Sequence, residues 1–258
     1  MLDLGLEGRT VLVTGATGAI GSAAARAFAE QGARVALAFR HRREAAEALA
    51  VELAGPDRGR AFAVPYALDD AASPRWVVAA VEEHWGGLDV LVAAARRRGA
   101  RRGREPHARF EDVPEEHWRP LVADAFAPAI RTVQWAVAGM RKRGWGRIAL
   151  VAPPHVPDGD PGGEFHAIAR AGLGGLVRGL VGEVGGDGVL INAVCPGPTP
   201  PDRPPTAPEG FTTCFTTCFT TPESSATGPE DIARALVFLC SAANGAITGE
   251  TLTLAGRR

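Results

Sequence analysis

The sequence predicts a doubly wound α/β sheet of about seven parallel strands with helices on both faces. Three observations predict it. Short, near-continuous apolar runs alternate with longer stretches of helical periodicity, the pattern of strands buried on both faces. A glycine-rich turn, "TGATGAIG" (14–21), joins the first apolar run to the first helix. The length of 258 residues, 46% apolar and 22% charged, suits one large domain with a full core, expected to span 1–258.

The elements follow in order. "TVLVT" (10–14) reads as a buried strand, and a helix runs through "SAAARAFAEQG" after the glycine turn. "RVALAF" (34–39) is the next strand and "RREAAEALAVELAG" the next helix. Further strands are expected at 60–66, 88–94, 146–152 and 188–194, with helices near 73–86, 114–142 and 163–184 between them. A helix at 229–241 and a strand in "ETLTLAG" close the chain. Right-handed crossovers turn this alternation into a doubly wound sheet.

Composition narrows the function classes. A net charge of −1 points to neither nucleic acid nor a membrane surface. Of the 28 lysines and arginines only Lys142 is a lysine, a skew that fits a GC-rich genome. Cys195, Cys214, Cys218 and Cys240 have neither metal-ligand spacing nor a disulfide framework, so no metal is expected and the compartment reads as a reducing cytoplasm. The start "MLDLGLEGRT" lacks the regions of a signal peptide, and no apolar run is long enough to cross a bilayer.

The glycine turn is the first candidate site. Gly15 permits a tight turn, Gly18 lets the backbone approach a phosphate, and Gly21 allows close helix–strand packing. The helix start then offers N–H groups and a positive dipole end to a pyrophosphate. The alternative is a turn that serves packing alone. After the second strand, where a carboxylate would bind the ribose of NAD, the chain has Phe39, Arg40, His41, Arg42 and Arg43. Guanidinium groups there favour a 2′-phosphate and hence NADP(H). Otherwise these arginines only open a solvated helix.

With these residues in place, the chain resembles the short-chain dehydrogenase/reductase family, in its shorter single-domain branch. "TGATGAIG", "GGLDVLV", "GWGRIALV", "INAVCPGPT" and "GPEDIARALVFLCS…ITGETLTLAG" carry the likeness nearly end to end. The resemblance implies a Rossmann-type fold, a homodimer or homotetramer through the helices near 114–142 and 163–184, and a small-molecule substrate. It places the cofactor against Thr14, Gly15, Thr17, Gly18, Ile20, Gly21, Arg40, Ala67, Leu68, Ala93, Ala94, Arg170, Pro196, Gly197 and Thr199.

The chain departs from the family at its chemistry. The family's Asn, Ser, Tyr and Lys fall at Ala125, Pro153, His166 and Arg170. Its "NNAG" reads "AAAR" (93–96), and its adenine-binding Asp falls at Ala67. The single tyrosine, Tyr66, lies at a strand end. His166 beside the Arg170 cation suits a base or hydrogen-bond partner better than an acid, and it equally reads as a packing residue. Arg170 can hold a ribose hydroxyl as the lysine does. His155, Asp158, Asp160 and Glu164 supply further candidate acids in the loop before that helix, each also readable as a solvated residue.

A ketone needs a donor at its oxygen as hydride arrives, whereas an iminium does not. The leading expectation is therefore NADPH-dependent reduction of a preactivated group: an iminium, a hemiaminal or a ketone that supplies its own proton. Specialised metabolism or detoxification is the expected setting, by analogy. A non-redox enzyme (cyclisation or dehydration) and a catalytically silent partner of an active homologue stay open. Two segments break the pattern. "ARRRGARRGRE" could meet an anionic substrate or a carrier protein, or be solvated. The Pro-rich stretch 198–228, with its "FTTCFTTCFTT" repeat, reads as a lid over an apolar or aromatic substrate.

Overall fold

The computed structural model describes residues 3–57, 59–96, 109–153, 164–197 and 227–254. Seven strands form: β1 (Thr10–Thr14), β2 (Arg34–Phe39), β3 (Ala61–Pro65), β4 (Val90–Ala93), β5 (Gly146–Val151), β6 (Val189–Pro196) and β7 (Thr251–Leu254). Every neighbouring pair is parallel, in the order β3-β2-β1-β4-β5-β6-β7. The order reverses direction between β1 and β4, and this switch point opens a crevice at the carboxyl ends of the strands.

Among the described residues six α-helices cover the sheet: α1 (Ala19–Glu30), α2 (Arg43–Ala54), α3 (Ser73–Trp85), α4 (Glu115–Arg143), α5 (Glu164–Val184) and α6 (Pro229–Leu239). Strand alternation sorts the core into two layers. Val11, Val13, Val35, Leu37, Val90 and Val92 face α1, α2 and α6. Leu12, Ala36, Ala38 and Leu91 face α3, α4 and α5. Hence strands that look uniformly apolar in sequence are apolar on both faces.

The fourth strand is shorter than the expected 88–94. Before it, Thr10 donates its hydroxyl to the Gly87 carbonyl and accepts from the Asp89 amide, so the chain turns before the ladder starts. Residues 198–226 of the expected lid (198–228) and the arginine run from Arg97 onward lie outside the described residues, as do His155, Asp158, Asp160 and Thr199.

At the opposite end of the sheet, Arg147 of β5 is buried and serves as a staple. Its guanidinium donates to the carbonyls of Gly146, Gly188, Asn244 and Ser241 at 2.9, 3.1, 3.2 and 3.4 Å. Its charge stacks on Trp145 at 4.6 Å, and Arg9 stacks on the same ring at 4.0 Å. Arg147→Met keeps the stem and strands these carbonyls without a donor. It should lower stability by about 3 kcal/mol and Tm by roughly 10 °C, read by circular dichroism. A loss below about 2 °C would mean that water replaces the guanidinium freely.

Candidate active site at the carboxyl end of the sheet

The glycine turn is built by main-chain geometry. Gly15 has φ +68°, and a Cβ there would lie 2.8 Å from Ala95 Cα, at the exit of β4. A Cβ on Gly21 would lie 2.2 Å from the Gly15 carbonyl oxygen. Gly21 thus lets α1 pack against its own turn, rather than against a strand as a helix–strand contact would require. Gly18 differs from both. It caps α1 with φ −88°, an ordinary extended value, and a Cβ there would meet only the Gly15 oxygen at 3.4 Å. Among the described residues, nothing demands glycine at this position, and there is room beside it. Gly18 itself offers no capping side chain and the first turn of α1 has no acidic residue, so the helix's own residues place no negative charge at its positive end.

Four hydrogen bonds fix the turn. Ala16 N donates to the Ala38 carbonyl and Gly18 N to the Gly15 carbonyl. Ala95 N donates to Thr14 Oγ1 at 3.1 Å, tying β1 to the exit of β4. The Arg42 guanidinium donates to the Thr17 carbonyl, so it reaches from the start of α2 across to the glycine turn. Ile20 packs partly buried against the core beneath. Ala93 ends β4, with Ala94 just beyond it and also packed on the core.

Arg40 directly follows β2, where the 2′-phosphate expectation puts it. Its side chain forms an ion pair with Asp69, from the loop after β3. The sequence signalled no partner for Arg40; the contact arises because β2 and β3 are parallel neighbours ending together at Phe39 and Pro65. Ala67 and Leu68 lie in the same loop: Ala67 N donates to Ser73 Oγ, and Leu68 packs on the core.

The positions that the resemblance matches to the family's Asn, Ser, Tyr and Lys lie on α4, on α5 and just after β5. Ala125 falls in α4, and His166 in the first turn of α5, one turn before Arg170. Pro153 follows β5 and is buried; its carbonyl accepts a hydrogen bond from Cys195 Sγ at 3.3 Å. Cys195, on β6, is fully buried. Burial pushes its thiol up, while the Arg170 guanidinium, within hydrogen-bonding reach of the sulfur, pulls it back. Arg170 Nη1 is itself buried and has no hydrogen-bond partner among the described residues. Pro196 pairs with Leu254 at the end of β6, and Gly197 N donates to the Leu254 carbonyl.

Tyr66 is no substitute acid. It is buried, and burial pushes its phenol up. Its hydroxyl is hydrogen-bonded to Thr132 Oγ1 at 2.8 Å, and Thr132 in turn donates to the Pro128 carbonyl inside α4. The tyrosine thus braces α4 where Pro128 removes an N–H from the helix ladder. An aromatic stack holds the start of α5. Phe165, in the first turn of α5, stacks between Phe110 and Trp118 at centroid distances of 5.8 and 5.9 Å.

A dinucleotide fits these residues: a glycine position with room beside it at a helix start, guanidinium groups beyond β2, and a buried nitrogen beside β6 that has no hydrogen-bond partner among the described residues. Comparison with known proteins gives the class. The family described as enoyl-(acyl carrier protein) reductase matches residues 15–256. The 3-oxoacyl-[acyl-carrier-protein] reductase FabG of Vibrio cholerae is 31% identical over 98% of each chain. The L-rhamnose 1-dehydrogenase (NAD(P)(+)) of Azotobacter vinelandii is 32% identical over 96% of this chain and 95% of its own. Among solved structures, a short-chain dehydrogenase/reductase of Serratia marcescens superposes with a TM-score of 0.79 at 26% identity, covering 97% of this chain and 98% of that one.

The chain belongs to the short-chain dehydrogenase/reductase family, a family of oxidoreductases that use nicotinamide cofactors. Among the described residues, no helix is long and apolar enough to cross a membrane.

Proposed function

We propose that the protein is an NADP(H)-dependent oxidoreductase that reduces a preactivated group of a small molecule: an iminium, a hemiaminal or a ketone carrying its own proton source. The observation that best supports cofactor binding is the buried, unpartnered Nη1 of Arg170. A buried guanidinium N–H without an acceptor is costly, and a ribose hydroxyl would satisfy it. Arg40 and Arg42, set against one carboxylate, support the phosphorylated cofactor.

When bound, the nicotinamide supplies a hydride. The chain's own residues would hold the pyrophosphate at the α1 start, the 2′-phosphate at Arg40 and Arg42, and the ribose at Arg170. What they lack is a donor for a developing alkoxide. Pro153 has none where the family carries serine, and its carbonyl is already an acceptor for Cys195. Loss of one such donor typically costs about 3 kcal/mol in the transition state. This favours a substrate whose reacting carbon already bears positive charge.

Titration with NADPH, followed by melting temperature and fluorescence, tests the reading. A shift with micromolar affinity supports it. No shift returns the chain to a non-redox enzyme or a silent subunit. NADPH should bind more tightly than NADH, and Arg40→Asp should erase or invert the preference; equal affinities in the parent would count against the assignment. The reading also includes a homodimer or homotetramer through α4 and α5. Ile130, Trp135 and Ile168 are exposed on these helices, and a Cβ at Gly175, Gly179 or Gly182 would meet nothing within 4 Å. Light scattering at micromolar concentration should give a dimer or tetramer, and a monomer would contradict it.

A further inference from the structure

Two adjacent aspartates follow β3, and the fold uses them differently. Asp70 is structural: its carboxylate accepts from Ala72 N at 2.9 Å, and its carbonyl accepts from Ser73 N at the start of α3. Asp69 takes no part in that cap. Its only side-chain partner among the described residues is Arg40, with Nη2 to Oδ2 at 2.5 Å. The pair is open to water, at 34% and 48% side-chain exposure, and therefore open to a ligand. It sits at the carboxyl end of the sheet between β2 and β3, beside the place where a β2 carboxylate would meet an unphosphorylated adenosine ribose.

We propose that Asp69 sets the margin between the phosphorylated and unphosphorylated dinucleotide. The inference rests on the nucleotide reading above. The carboxylate absent from the end of β2 is delivered instead from the β3 side. A 2′-phosphate that approaches Arg40 meets the negative Asp69 in the same place, and repulsion narrows the gain from the guanidinium. A 2′-hydroxyl can donate to Asp69, so the unphosphorylated cofactor is retained as a usable ligand. Arg42, held on the Thr17 carbonyl, is not paired to Asp69 and keeps its charge at the phosphate turn.

The test is calorimetric titration of parent, Asp69→Asn and Asp69→Ala with NADPH and NADH, and with 2′,5′-ADP and 5′-AMP as fragments that differ only in the 2′-phosphate. Asp69→Asn removes the charge and keeps an acceptor. It should tighten NADPH and 2′,5′-ADP by about fivefold and leave NADH and 5′-AMP within twofold. Asp69→Ala should give the same gain for the phosphorylated ligands and weaken NADH by about fivefold. The gain should shrink at high salt, as for any half-exposed charge. An unchanged NADPH-to-NADH ratio in both variants overturns the proposal while leaving nucleotide binding intact. Weaker NADPH binding in Asp69→Asn also overturns it, because Asp69 would then hold Arg40 in place for the phosphate. If no ligand binds the parent protein, the proposal and the reading under it fall together.

Discussion

Gly18→Asp should make the protein slightly more stable and nearly unable to bind NADPH. An aspartate suits the cap of α1, because Gly18 already has the extended backbone of a capping residue (φ −88°, ψ 166°) and has no side chain of its own to cap the helix. A carboxylate there adds a few tenths of a kcal/mol over glycine and roughly 1 °C in Tm. The same carboxylate stands where the pyrophosphate would lie, and the like-charge clash should weaken NADPH by at least about a hundredfold. Gly15→Ala and Gly21→Ala should behave oppositely and lower Tm, since their Cβ atoms would meet backbone at 2.8 and 2.2 Å. If Gly18→Asp bound NADPH as the parent does, the turn would be a packing device and the cofactor site would lie elsewhere.

Restoring the family's pair should not restore its chemistry. His166→Tyr with Arg170→Lys puts a phenol and an ammonium back at the two α5 positions, one helical turn apart. Ala125 and Pro153 still offer neither the amide nor the hydroxyl. With at least one oxyanion donor missing, turnover of a plain ketone should stay at least about a hundredfold below that of an activated substrate. Turnover of a cyclic iminium should change little if His166 is a wall of the pocket. It should fall by about a hundredfold or more if His166 carries a proton. A double variant that reduces simple ketones briskly would mean that the tyrosine and lysine alone suffice on this scaffold.

The strands and the glycine turn were legible in the sequence because their signals are local. "TVLVT" and "RVALAF" are apolar at every step except the ends, and Gly15, Gly18 and Gly21 fall at fixed offsets after the first. What was not legible comes from side-by-side strands. Asp69 lies 29 residues from Arg40, and no spacing rule joins them; only the parallel pairing of β2 with β3 does. Cys195 reaches Pro153 across 42 residues for the same reason. The exclusion of Tyr66 as an acid rested on its place in the chain, and the structure supplies the physical cause in its buried bond to Thr132. Glycine at position 21 was legible, but its contact was not: it packs on the Gly15 carbonyl of its own turn.

The central claim is redox chemistry without a donor for an alkoxide. It is tested most directly by NADPH oxidation in the parent protein, with a cyclic iminium and with acetoacetyl-CoA as a plain ketone. The kcat/KM for the iminium should lie at least about a hundredfold above that for the ketone, matching the loss of one oxyanion donor. Efficient reduction of acetoacetyl-CoA would contradict it, and would assign the missing proton to another acid, with His155 and Asp158 first to be replaced.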